Sequence, residues 1–229
     1  LLPVRFPQIR SLRIGRALLA TAFLLAGSAL ADTVTIRADY WYPMNGTPGN
    51  ALPGFMIEIA QYGLTKGGHK VDYALVPWER ALHMVRKGEI DCVVGAYKSD
   101  APDLVFPENS QAVDTVAAYV KKGSAWRYTT LDDLKKIKLG AISGYGYGDD
   151  ITAYIEKNPQ QVQLTVGDNA LEQNIKKLAA GRIDALIESP SVFNAKLKDL
   201  HMEDQFEQAG TLSDIVDVYV ACSPAKESS

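Results

Sequence analysis

Two stretches of the chain share one grammar. ALHMVRKGEIDCVVG, ending at Gly95, and NIKKLAAGRIDALIES, ending at Ser189, each read as a helix, a glycine, one residue, Ile-Asp, and an apolar strand. The glycines are Gly88 and Gly181; the aspartates that open the strands are Asp91 and Asp184. Glycine ends a helix by taking a positive φ that costs other residues energy. The apolar run behind it fits a strand buried on both faces. A unit of this kind occurring twice predicts two similar α/β lobes rather than one barrel, with a largely parallel sheet in each. Both aspartates are read as structural residues.

The surrounding pattern extends each unit. Residues 33–38 alternate as a strand, a Gly/Pro/Asn-rich loop covers 41–54, and a helix begins near Phe55 and stops at Gly67-Gly68. A strand over 70–76, a helix over 78–87 and a strand over 90–94 follow. The second half repeats the alternation: strand 136–141, helix 149–156, strand 162–166, helix 169–180, strand 183–187, and a helix from Pro190. Two extended, β-branched runs, 111–121 and 216–222, are read as paired crossings between the lobes, and paired crossings form a hinge beside a cleft.

Charge is unevenly distributed. Arg5, Arg10, Arg13 and Arg16 are the basic residues before position 32, and no acidic residue stands among them. They precede an apolar run over 17–28 and then Ala29-Leu30-Ala31, the small-x-small pattern of a secretory signal peptide cleaved before Asp32. The apolar run is shorter than the roughly 20 residues of a membrane span. The rest holds 20 basic and 27 acidic residues, net −7, a poor match for nucleic acid or anionic lipid. A protein exported to the periplasm is expected. There Cys92 and Cys222, each in an apolar strand-like run, read first as buried small hydrophobes, with a disulfide left open.

These pieces, in this order, resemble the type II periplasmic solute-binding proteins, extracellular family 3, the class serving polar amino acid ABC transporters. The resemblance covers residues 33–224 and rests on several short motifs. They are Tyr40 to Pro43 after the first strand, Gly54-Phe55-Met56-Ile57-Glu58 at a helix start, Pro77-Trp78-Glu79-Arg80-Ala81, the two Gly-x-Ile-Asp units, Leu131-Asp132-Asp133-Leu134, and the turn Gly144-Tyr145-Gly146-Tyr147-Gly148. It implies an α/β, two-lobed periplasmic-binding-protein-like II fold. Lobe one would comprise 32–117 and 218–229, and lobe two 118–217. It also implies a monomeric receptor that hands a small polar, amino-acid-like, carboxylate-bearing solute to an inner-membrane ABC permease. No enzymatic activity, cofactor or nucleic-acid partner is expected; the alternatives are a periplasmic dehydratase-like enzyme on this fold and a ligand-sensing domain. Family members continue past the second crossing with a helix that returns to lobe one. This chain runs from Leu1 to Ser229, so lobe one is expected to lack that helix.

The family's amino-acid binders carry an arginine for the ligand carboxylate after the third strand, where this chain reads Gly95 to Asp103 without one. They carry an ammonium-holding aspartate where Glu188 stands one position early. Arg80 or Lys98, with Ser99 beside it, is the expected replacement for the arginine, since a guanidinium offers a bidentate fork. The alternative is a solvated helix arginine. The Gly144–Gly148 turn is a candidate carboxylate seat at a helix N-terminus, or a tight turn that simply needs glycine. Tyr40, Trp41, Tyr42, Trp78, Tyr97, Tyr145 and Tyr147 are expected to line the cleft. His69, His83 and His201 lack metal-ligand spacing, and no G-x-S-x-G elbow occurs.

Overall fold

The computed structural model describes residues 32–226. The export-signal reading falls on residues 1–31, outside the described residues. No described helix is long and apolar enough to cross a membrane.

Among the described residues ten strands and five α-helices form two mixed α/β layers. The first half contains β1 (Thr33–Ala38), α1 (Phe55–Lys66), β2 (Lys70–Leu75), α2 (Trp78–Arg86), β3 (Cys92–Ala96) and β4 (Ala112–Asp114). The second contains β5 (Ala117–Lys121), β6 (Leu139–Ile142), α3 (Asp149–Lys157), β7 (Val162–Thr165), α4 (Ala170–Ala179), β8 (Ala185–Glu188), α5 (Pro190–Leu200) and β9 (Phe206–Thr211). The chain then returns as β10 (Val216–Cys222). The sheets run β2-β1-β3-β10-β4 and β7-β6-β8-β5-β9. The two orders match position by position, and in each the fourth strand has just arrived from the other lobe.

That arrival corrects the expectation of largely parallel sheets. β1 pairs in parallel with β2 and β3, and β6 with β7 and β8. The strands next to the crossings, β10 and β5, pair antiparallel on both sides. Residues 216–222 are therefore a sheet strand, and the return crossing lies at 212–215.

The repeated Gly-x-Ile-Asp units occupy equivalent places. Gly88 and Gly181 take φ of 70° and 68° after α2 and α4. Asp91 accepts from the Thr35 N–H at 2.7 Å in lobe one; Asp184 accepts from the Lys138 N–H at 2.7 Å in lobe two. Each carboxylate ties the entrance of its strand to the neighbouring parallel strand, β1 or the start of β6, a structural role in both.

Helix phase decides what each helix buries. On α2 Trp78, Ala81, Leu82 and Val85 are buried, the i, i+3, i+4, i+7 stripe of an amphipathic helix, and pack with Val93 and Ala96 of β3. Burying Leu82 or Val85 contributes roughly 1.5–3 kcal/mol each. At the start of α1, Gly54 has φ 110°, and a Cβ there would lie 2.6 Å from the Asn45 Cα. Only glycine admits this approach of the 41–54 loop to the helix.

Cys92 and Cys222 face each other across the β3–β10 ladder and form a disulfide. The reading as two separate buried hydrophobes is corrected: antiparallel register brings together residues that stand 130 positions apart.

Candidate functional site

The strand order places loops 39–45 and 97–100 of lobe one opposite loop 143–148 and residues 188–190 of lobe two. These segments follow the carboxyl ends of β1, β3, β6 and β8, where open α/β sheets bind ligands. The crossings beside them are fastened together. The Thr115 hydroxyl donates to the Ser213 carbonyl at 2.8 Å, and the Val116 N–H donates to Ser213 Oγ at 2.9 Å.

The lobes meet across this cleft around a cavity of about 260 Å³. Asp39, Trp41 and Trp78 line it from lobe one, and Tyr145, Asp168 and Glu188 from lobe two. A smaller hollow beside it shares Asp39, Trp41, Tyr145 and Glu188 and adds Tyr97 and Asp114. Glu188, at the end of β8, is 2% exposed. Its Oε1 accepts from Trp41 Nε1 at 3.0 Å and from the Ser189 N–H at 2.9 Å. Its Oε2 has no partner among the described residues. Burial pushes this carboxyl up to about 8, and the nearby charges of Asp114 and Asp39 act in the same direction. Asp39, directly after β1, accepts a hydrogen bond from the Tyr145 hydroxyl of the other lobe, and burial pushes it up to about 6. Asp114 receives Tyr97 Oη at 2.8 Å and Ser189 Oγ at 2.6 Å. Burial raises Asp114, and Asp100 likewise.

The glycine turn lies directly against acidic side chains of lobe one. A side chain at Gly144 would overlap Glu79, and one at Gly146 would overlap the Asp100 carboxylate. Lobe one's own acidic groups thus lie against the turn, and Ser143 Oγ donates to Glu79 Oε1 at 3.1 Å. The glycines permit the lobes to approach. Gly146→Ala is expected to hold them apart and cost about 1–3 kcal/mol of ligand affinity through overpacking. Pairing it with Asp100→Ala should recover most of that loss. Parental affinity in the single variant, measured by calorimetry, would exclude this contact from the bound form.

Other expected residues fall outside the cavity. Arg80 is exposed and does not line it; the adjacent Glu79 does, because the buried stripe of α2 turns position 79 toward lobe two. Lys98 is exposed, with its ammonium 4.6 Å from the Tyr219 ring centre, and Ser99 donates to Asp100 at 3.2 Å. Like Arg80, neither Lys98 nor Ser99 lines the cavity. Tyr42 faces a separate shallow groove with Asn50 and Asp199. Tyr40 lines the main cavity, under the Lys196 ammonium at 4.6 Å. Tyr147 borders the smaller hollow, but its hydroxyl accepts from the Ile142 N–H at 2.8 Å inside the lobe-two core. Asp39, Glu79, Asp114, Asp168 and Lys196 were not expected. The one signal for Asp39 was its place directly after the first strand. Among the described residues no group of three His, Cys, Asp or Glu could hold a metal ion.

No protein-family model and no curated protein matches the chain. Solved structures do. A histidine kinase sensor domain with similarity to periplasmic binding proteins superposes with a TM-score of 0.72 at 15% identity, over 85% of this chain and 84% of that one. An ancestral arginine-binding protein bound to arginine gives 0.70 at 21%, over 84% and 85%. An ABC uptake transporter substrate-binding protein from Streptococcus pneumoniae with bound histidine gives 0.64 at 22%, over 83% and 79%. The fold is the two-lobed one of periplasmic binding proteins.

Proposed function

We propose that this chain is an exported, monomeric solute-binding receptor that closes its lobes on a small polar solute and presents it to an ABC permease. One observation carries the reading. Between the lobes lies a cavity lined by aromatic rings and a few buried polar groups, among them a Glu188 oxygen with no partner among the described residues. That combination suits a small molecule fixed by few directional contacts. The fold shared with arginine- and histidine-bound proteins supports it. Solute binding acts by favouring the closed arrangement over an open one, and the permease distinguishes the two. We assign the site binding without turnover.

A second reading, a sensing domain, draws on the histidine kinase sensor domain among the similar structures. The two separate on the partner: a receptor stimulates ATP hydrolysis by a reconstituted permease, and a sensor does not. The common step is tested by X-ray scattering and thermal unfolding against a broad panel of polar solutes. At least one solute is expected to reduce the radius of gyration and raise Tm. No compaction with any of them would sink both readings.

A further inference from the structure

We infer that the solute is a small organic cation with no carboxylate of its own: Glu188 and Asp39 receive its positive charge while Trp41, Trp78 and Tyr145 pack its body. This rests on the receptor reading above and names the class of its ligand.

The cavity's charge is one-sided. Five lining residues, Asp39, Glu79, Asp168, Glu172 and Glu188, are acidic, and Lys196 is the one Lys or Arg among them. Glu172 is paired with Lys176 at 2.6 Å, and Lys196 is engaged with the Tyr40 ring and lies 3.8 Å from Asp199. Among the described residues, none of the other four carboxylates forms an ion pair. Beyond the count of charges, Glu188 Oε2 is buried and has no partner among the described residues, in a residue that lines both hollows. A buried acceptor left unpaired costs free energy that a donor from the ligand restores. Burial raises Glu188, Asp39, Asp100 and Asp114 together, the mark of acidic groups stripped of water without a counter-charge. A ligand ammonium or guanidinium relieves that cost, and a ligand carboxylate adds to it. The indole of Trp41, held by its bond to Glu188, and that of Trp78 are both buried at the cavity wall and supply faces for a cation.

Calorimetric titration at neutral pH and low salt tests this with two sets of compounds. One holds agmatine, 1,4-diaminobutane, choline and related small amines. The other holds arginine, glutamate and succinate. Agmatine is arginine without its carboxylate, so that pair isolates the contested group. At least one cation is expected to bind, and, where agmatine binds, arginine should be weaker by at least about tenfold. Glu188→Gln keeps an oxygen for Trp41 and removes the charge. It should weaken the cation by at least about tenfold, and Asp39→Asn should do so in parallel. Both variants are first checked for a parental circular dichroism spectrum. Arginine or succinate binding in preference to every cation overturns the charge assignment and leaves the receptor reading intact. So does cation binding that ignores both substitutions. Silence of both sets, together with no compaction across the wider panel, overturns the two readings together.

Discussion

Replacing Cys92 and Cys222 together with serine is expected to lower Tm by on the order of 10 °C, while ligand affinity stays near parental. The bridge closes a loop of 130 residues, which encloses β4, the whole of lobe two and both crossings. Cross-linking a loop of that length removes chain entropy from the unfolded state worth about 3–5 kcal/mol. For a protein of this size each kcal/mol moves Tm by roughly 2–4 °C. Affinity should be spared because of where the bridge sits. Cys92 opens β3, and the cleft lies past the other end of that strand, at Tyr97. The separation from Cys92 to Tyr97 is about 17 Å along the strand. Antiparallel β10 leaves the crossing at Val216 and reaches Cys222 at its far end. Thermal unfolding of the parent with and without a thiol reductant, beside the double variant, checks the stability; titration checks the affinity. A Tm unchanged on reduction would show that the β3–β10 ladder alone closes the loop.

Much of this architecture was legible because it is written locally. Gly88 and Gly181 end helices by their own conformational freedom, and the apolar stripe of α2 announces which face is buried. Strand direction was not legible in the same way. Whether residues 216–222 link lobes or pair within a sheet depends on β3 and β4, more than 90 positions earlier, and no local window contains that choice. β9, over 206–211, escaped notice because FEQAGT has little apolar alternation; it is held by its ladder with β5. The site was legible in its aromatics and hidden in its charges. Asp39, Glu79, Asp114 and Asp168 come from four separate segments, and each reads alone as a solvated acidic residue. Asp114 is buried and Asp39 half-buried where the two lobes meet, while Glu79 and Asp168 stay exposed at the cavity's rim. Arg80 against Glu79 is the instructive pair, since the buried positions 78, 81, 82 and 85 were already visible in the sequence. Setting the helix phase from them would have placed Arg80 outside.

The ligand-free protein is expected to lose stability as pH rises from about 5 to about 8, and to expand over the same interval. Glu188 stands at about 8 in the folded chain against an ordinary 4.5, and Asp39 at about 6 against 3.8, both chiefly through burial. Between those values the folded chain holds protons that the unfolded chain has released, so stability falls with rising pH. The contribution is fully present below the unfolded values and is lost as pH passes the folded ones. For Glu188 alone the limit is on the order of 4 kcal/mol across the window. Lobe opening caps it, because an ionising Glu188 regains water once Trp41 and Tyr145 separate from their partners in the other lobe. Expansion should therefore precede unfolding. The carboxyls held below their ordinary values, Asp133 bonded to Lys136 and Thr129, Asp103 bonded to Arg86, Glu172 bonded to Lys176, and Asp91 bonded to Lys226 and Thr35, titrate in acid beneath this window. Glu188→Gln should flatten most of the slope, and Asp39→Asn the part near pH 6. Tm and radius of gyration followed across pH, for parent and both variants, measure it. A parental Tm that rises toward pH 8 would mean that Glu188 is hydrated in the free protein. A bound cation should level the slope by holding these carboxylates ionised, so one titration series reads both the cost of burying Glu188 and the charge that offsets it.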